Sequence, residues 1–173
     1  MTFGNYPTTT SGIKAPIEWY VLSIDGSSVW LLSKYCIDSH QFNYKNIEVS
    51  FRDSELFRWL NDEFKRTAFT GEERGMLFGD VTLPSKSEAR TLIPADYLDA
   101  DCTDYAIAQG YDPEKRIWWL GEFATVDWAQ DAYGNWHTSY QAWGYHGVKE
   151  QISSFEVDYH HKGVRPMICI WLG

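Results

Sequence analysis

The chain has 173 residues, 44% of them hydrophobic and 23% charged, and its formal net charge is −9. That length suits one domain, residues 1–173, with a sizeable core. The acidity excludes nonspecific binding to phosphate backbones and attraction to anionic lipid, because Lys34, Lys45, Arg52, Arg58, Lys65, Arg66 and the other basic residues are scattered and form no stripe.

No apolar run approaches the ~20 residues of a membrane-spanning helix. The opening MTFGNYPTTTSG has neither the basic start nor the apolar stretch of a signal peptide. The expectation from these two observations is a cytoplasmic or virion-associated protein. Cys36, Cys102 and Cys169 are odd in number and widely spaced, unlike a disulfide framework or a zinc site. They are expected to be buried, reduced thiols.

In chain order, IEWYVLSIDGSSVWLLSKYCI predicts a hairpin. Ile17, Trp19, Val21 and Leu22 lead into an Asp25-Gly26 turn, and Val29, Leu31 and Leu32 lead out of it. DSELFRWLNDEFKRTAF is the clearest helix. Asp53 or Ser54 can cap it, and Leu56, Trp59, Leu60 and Phe64 repeat at the spacing of one buried face. EERGMLF, KSEARTLI (with Ser85 or Ser87 near its start) and TDYAIAQG predict short helical pieces, and DVTLPS an extended one. The final GVRPMICIWLG predicts a single strand apolar on both sides and so buried on both faces. Strands at both ends with a few helices between them give an α+β fold class.

Residues 118–147 are different in texture. Thirty residues hold nine aromatics and five of the nine Trp. Gly121, Gly134, Gly144 and Gly147 predict an irregular stretch, with a turn at 131–135. Trp118 and Trp119, adjacent at a strand start, are expected to anchor the core. Trp128, Tyr133, Trp136, Tyr140, Trp143 and Tyr145 alternate with Asp, Gln, Asn135, His137, Thr and Ser. Rigid aromatics among small polar residues are the composition of a binding surface, where a core would hold more Leu, Ile and Val.

Other chemistry is weaker. His160 and His161 follow Asp158, with His137 and His146 upstream. Neighbours on a strand point to opposite faces, so one metal cannot easily take both, and no metal site is expected. Asp96, Asp99, Asp101 and Asp104 are faintly like a calcium loop but lack its Gly and closing Glu. No cofactor is therefore expected, with calcium the one alternative. No Ser-His-Asp spacing, phosphate loop or metalloprotease motif appears. Cys169 between Ile168 and Ile170 lacks the exposed cationic setting of a nucleophile. Arg165 in a buried strand must be paired, so a structural ion pair or backbone contacts are expected there.

A series of short phrases runs through the chain: FGNYP, IEWYVL, LLSKYCID, SELFRWLNDEFKRTAF, LPSKSEA, TDYA, WWL and GVRPMICI. In this order they resemble a bacterial and phage-associated domain family of unknown function. The family continues Trp-Trp-Leu with Arg-Ser-Pro-Gly, where this chain has Gly121-Glu122-Phe123, so any role of that cation is lost. The family in turn resembles the C-type-lectin-like fold of the formylglycine-generating-enzyme group.

That resemblance implies irregular antiparallel sheets, two or three short helices, paired N- and C-terminal strands and a ligand-facing segment at 118–159. It also implies a non-catalytic module that recognises a cell-surface protein or carbohydrate, related to receptor-binding proteins diversified by retroelements. The expected ligand residues are Trp128, Tyr133, Asn135, Trp136, His137, Tyr140, Trp143 and Tyr145; Trp59, Trp118, Trp119 and Arg165 are expected to be structural. Two alternatives stay open: a formylglycine-generating type of enzyme, which needs reactive Cys and copper, and a phage structural component whose aromatics join copies of the chain into a homo-oligomer. The expected partners include neither nucleic acid nor membrane.

Overall fold

A computed structural model of the chain describes residues 1–158 and 161–173. Strand outweighs helix, 41% to 22%, so the fold is α+β with the sheets setting its shape. The first sheet holds β1 (Thr2–Pro7), β2 (Lys14–Asp25), β3 (Ser28–Ser33) and the last strand, β9 (Met167–Trp171), in the order β1-β2-β3-β9. All its neighbours are antiparallel. The expected hairpin is β2–β3. Asp25 pairs with Ser28, and Gly26 opens the two-residue loop at φ 56°, a left-handed conformation that glycine adopts without strain.

The terminal strands share this sheet but are not paired, contrary to expectation. The hairpin places β3 on one edge of β2 while β1 takes the other, so the edge left open to β9 is that of β3.

The second sheet has the order β4-β8-β5-β6-β7, with β4 (Asp38–His40), β5 (Ile117–Gln130), β6 (Trp136–His146), β7 (Gln151–Glu156) and β8 (Lys162–Val164). Its one parallel contact is Trp118 with Gly163. The closing segment, expected to be one strand, is therefore two. β8 belongs to the second sheet and β9 to the first, and the chain crosses between them at Arg165 and Pro166. Proline has no N–H to give a ladder, so the crossing falls there. Met167, Ile168, Cys169 and Ile170 are buried as double-faced strand residues, whereas Trp171 and Leu172 emerge to 55% exposure each.

Between β4 and β5 lie more short helices than the two or three expected. A 3-10 turn (Phe51–Asp53) leads into α1 (Glu55–Trp59), a π-helical turn (Leu60–Phe64) and α2 (Lys65–Ala68), which together form the rod expected at 53–69. Ser54 is its cap and accepts from the Phe57 N–H. Asn61, in the π turn, bonds both the N–H and the C=O of Val81 at 2.9 Å, fastening the rod to an extended segment. Capping boxes start α3 (Gly71–Met76), with Thr70 and Glu73, and α4 (Lys86–Thr91), with Ser85 and Glu88. Then come α5 (Ala95–Leu98) and α6 (Asp104–Ala108), which Thr103 caps.

Two hydrophobic cores flank the central strands, and each of these strands feeds both. On β3, Val29 and Leu31 face the first core and Leu32 the second; on β9, Ile168 and Ile170 face the first and Met167 the second. On β5, Trp119 enters the first core and Trp118 the second, as alternation along a strand requires. Both indoles are fully buried, and their N–H groups donate to the carbonyls of Leu98 and His40. Trp59 is half-buried on the first core, with the His40 ring 3.9 Å away.

Arg165 is 0% exposed. Among the described residues no ion pair holds it. Its guanidinium donates to the carbonyls of Ser33, Tyr97 and Leu98 at 2.8–3.2 Å and lies 4.7 Å over the Trp118 ring. Burial pulls its pKa down from the usual arginine value. Arg165→Ala removes the donor to the Ser33 and Tyr97 carbonyls and the cation over the Trp118 ring, while the Leu98 carbonyl keeps the Trp118 indole N–H; the loss costs about 3–5 kcal/mol and lowers Tm by roughly 10 °C. A thermal melt followed by circular dichroism measures it; an unchanged Tm contradicts a structural role.

Candidate functional site

Residues 118–147 are more regular than expected, although the ladder shifts register twice between Trp119 and Thr125. They form the β5–β6 hairpin, paired without interruption from Thr125 with Gln141 to Gln130 with Trp136. The glycines read as breakers do other work. Gly121 packs where a Cβ would stand 2.7 Å from the Leu83 carbonyl, and a Cβ on Gly144 would stand 3.0 Å from the Phe155 ring, so both mark close approach inside a strand. Gly134 alone sits in the turn, at φ 82°. Glu122, where the related pattern carries Ser, accepts from the Lys86 N–H at the start of α4.

The base of the hairpin belongs to the body and its end projects. β8 touches β5 only at Trp118, β7 pairs with β6 only from Gln141 to His146, and beyond Gly121, whose N–H donates to Pro84, the outer edge of β5 has no partner strand among the described residues. Two of that edge's backbone groups are met by its own side chains. The Trp128 N–H donates to Asp127 Oδ1 at 2.7 Å, and the Val126 carbonyl accepts from the Thr125 hydroxyl at 3.4 Å. The Asp127 carboxylate on this edge discourages strand addition. On the other side Asn46 stands in for the missing strand, accepting from the Tyr140 N–H and donating to the Thr138 carbonyl.

Register places the aromatics. Trp128 faces Thr138 and Gln130 faces Trp136, so Trp128 and Trp136 are diagonal neighbours on one face, about 7–8 Å apart at the backbone. They are 67% and 66% exposed, and Val126 on the same face is 46% exposed. This face continues the one that buries Tyr140, Ala142 and Trp119 against the first core. Tyr133, on the tip, is 91% exposed.

The tip is held by one carboxylate. Asp131 Oδ1 accepts from the N–H groups of Tyr133 and Asn135, and Oδ2 from the Asn135 side chain. These bonds from Asn135 and Tyr133 keep the Asp131 carboxyl below the ordinary range. The Asn135 amide is thus spent inside the turn. His137 lies on the opposite face and meets Glu156 Oε1 at 2.7 Å, tying the projecting arm to β7. Beneath the tip is a cleft of about 570 Å³ lined by Asn46, Gln130, Asp131, His137, Glu156 and Asp158.

Three expected ligand residues are placed elsewhere. Tyr145 is 5% exposed and packs in the second core against Trp118. Trp143 is half-buried there, with the Lys86 ammonium 3.3 Å over its ring, and Tyr140 is half-buried on the first core. All three stand near the base of the hairpin, where both its faces are covered. The end of the 118–159 segment, Tyr159, and the histidine His160 lie outside the described residues.

The other candidates disperse. His161 is exposed and bonds the Gln109 carbonyl, while His137 is engaged by Glu156. Asp99 and Asp101, the faint calcium pattern, both approach Arg116, at 2.7 and 3.5 Å. Among the described residues no three His, Cys, Asp or Glu side chains converge on a metal position.

Two further features leave no sign in the amino-acid pattern. Asp38 is buried, accepting from the Tyr6 hydroxyl at 2.6 Å and the Ser39 N–H at 2.7 Å; burial and this carboxylate push the Tyr6 phenol far above its usual pKa. Lys162, between Trp119 and Phe155 at 4.7 and 4.9 Å, lines a cavity of about 770 Å³ with Lys115, Gln109 and His161. Burial, with Lys115 adding to it, brings its ammonium down to about 8. Contacts between residues so far apart in the chain leave no local signal.

No family model, curated protein or solved structure matches this chain. Among the described residues, no helix is long and apolar enough to cross a membrane.

The hydrogen bond that His137 donates to Glu156 raises the histidine pKa above the ordinary value. A raised histidine pKa means that the tether contributes fully at pH below the free-histidine value and fades as pH rises through the shifted one. An NMR titration of the His137 ring should give a midpoint above that of free histidine, and Glu156→Gln should bring it back down. Equal midpoints in the two proteins would show that the contact does not form in solution.

Proposed function

We propose that the chain is a non-catalytic recognition module that grips a cell-surface protein or carbohydrate with the end of the β5–β6 hairpin. One observation carries this. Trp128 and Trp136 lie side by side, two-thirds exposed, on a single face of a projecting ribbon whose tip presents Tyr133. Exposing indole to water is costly at about 25 cal/mol per Å² of apolar surface, and folded chains seldom leave such patches without a partner. The Asp131 bonds hold the tip in one conformation, which lowers the ordering cost of binding. The Asp127 carboxylate on the β5 edge favours capture by the aromatic face over strand addition.

The C-type-lectin-like kinship is proposed on the α+β body, the two curled sheets and the long excursion before the last strand. The separation of β1 from β9 across their sheet is a departure from it. If the locus is diversified by a retroelement, variation is expected at the exposed positions between Val126 and Trp136 and not at Trp118, Trp119 or Tyr145, where it would break the cores. Sequencing the locus for a template repeat and a reverse transcriptase tests this.

The direct test is a mixed glycan and surface-protein array probed with wild type and with Trp128→Ala/Trp136→Ala. Exposed positions tolerate truncation, so the variant should melt within about 2 °C of wild type. It should lose at least tenfold in binding, the effect of roughly 1.4 kcal/mol. Equal binding by both proteins rules out the aromatic face. No binding by either, with a mass that rises with concentration in wild type alone, transfers the face to contacts between copies.

A further inference from the structure

Cys36 and Cys102 are 66 positions apart in the chain, yet the fold sets them opposite one another. The Cys36 N–H donates to the Asp101 carbonyl at 2.9 Å and the Cys36 carbonyl accepts from the Thr103 N–H at 3.0 Å, so the two cysteines are partners in an isolated parallel bridge. Bridge partners carry their side chains on the same side and stand about 4.8 Å apart, inside the ~4.4–6.8 Å range over which two cysteines can be joined.

Around them the packing is tight. A Cβ on Gly163 would stand 2.7 Å from Cys36 Sγ and from the Tyr111 ring. The Tyr111 side chain is 4% exposed, and its hydroxyl has no nitrogen or oxygen partner among the described residues. Instead it faces the two thiols, whose proximity adds to burial in pushing the phenol far above its usual pKa. Cys36 is fully buried. Cys102 is half-buried and lines a groove of about 320 Å³ beside Tyr6, Tyr35 and Thr103, which gives a reagent one way in.

We infer that Cys36 and Cys102 are a disulfide site, filled when the folded chain meets a small-molecule disulfide. The Cys102 thiolate attacks one sulfur of the reagent, breaking its S–S bond and releasing one thiolate. Cys36 then attacks Cys102 Sγ in the mixed disulfide and expels the second thiolate, which leaves with the Cys36 proton. The chain loses two electrons and two protons; the reagent gains them as two thiols. Both protein thiols titrate above the ordinary value, Cys36 at about 12 through burial and Cys102 through burial and Asp101. The exchange is therefore slow at neutral pH and selective for a reagent small enough for the groove.

The bridge would close a loop containing all of the chain from β4 through α5. Long loops lose most conformational freedom when cross-linked. Cys169, 2% exposed within β9, takes no part.

The probe is oxidised glutathione, added to the native reduced chain at pH 8.5. The expected product has lost two hydrogens, yields one cross-linked peptide containing Cys36 and Cys102, and melts roughly 10 °C above the reduced protein. Cys102→Ser, changed at the half-exposed partner and so expected to fold, should show neither the link nor the rise. Cys36→Ser should stop at a glutathione adduct on Cys102. The inference is overturned by an unchanged mass in wild type, by an adduct on Cys102 that never resolves, by a link through Cys169, or by an oxidised form that melts below the reduced one.

Discussion

One buried cation organises the centre of this molecule. Arg165 sits where the chain leaves the second sheet for the first, and its guanidinium holds the carbonyls of Ser33, Tyr97 and Leu98 against the face of Trp118. Those contacts join the end of β3, the end of α5 and the start of β5. A lysine could not do this, because only the planar fork aims several donors in fixed directions while lying flat on an indole. Among the described residues the cation has no carboxylate partner in contact. Its desolvation is offset by backbone dipoles and by the indole ring, so the crossing tolerates little change.

The Trp118-Trp119 pair extends the same constraint. Strand alternation sends one indole into each core, and each finds a carbonyl for its N–H. β5 is thereby fixed at its base, and the fixed base allows the rest of the strand to project as a two-stranded arm. An isolated hairpin is marginal in water. This one is braced by Asn46 filling the absent ladder on β6, by His137 reaching Glu156, and by Asp131 closing the tip. The aromatic face at its end is the core-facing side of the sheet continued into solvent with nothing packed on it.

Local signals in the sequence were legible because their causes are local. The Asp25-Gly26 turn, the Ser54 cap, the repeat of Leu56, Leu60 and Phe64, and the Ser85 start of α4 depend on residues within a few positions of one another. The aromatic segment was legible as a cluster by composition, but the placement of its members was not. Trp128, Tyr133 and Trp136 are exposed, while Tyr145 is in the core and Tyr140 and Trp143 are half-covered. Nothing local separates these groups, since an exposed and a buried aromatic alternate with similar polar neighbours. Register and the reach of β7 and β8 along the hairpin make the difference.

The sequence by itself determined the α+β class, the cores of the main elements, the structural character of Trp118, Trp119 and Arg165, and the concentration of aromatics in one stretch. These follow from periodicity, turn chemistry and the cost of burying a charge. Only the tertiary structure decided that GVRPMICIWLG is two strands in two sheets, that β1 and β9 lie at opposite edges, and that 118–147 pairs as one long hairpin. It alone brought Cys36 to Cys102. Each of these is a pairing between distant segments, and its free energy comes from surfaces that meet only when the whole chain has closed. A glycine that breaks a strand and a glycine that lets two strands approach are the same residue until the neighbour arrives.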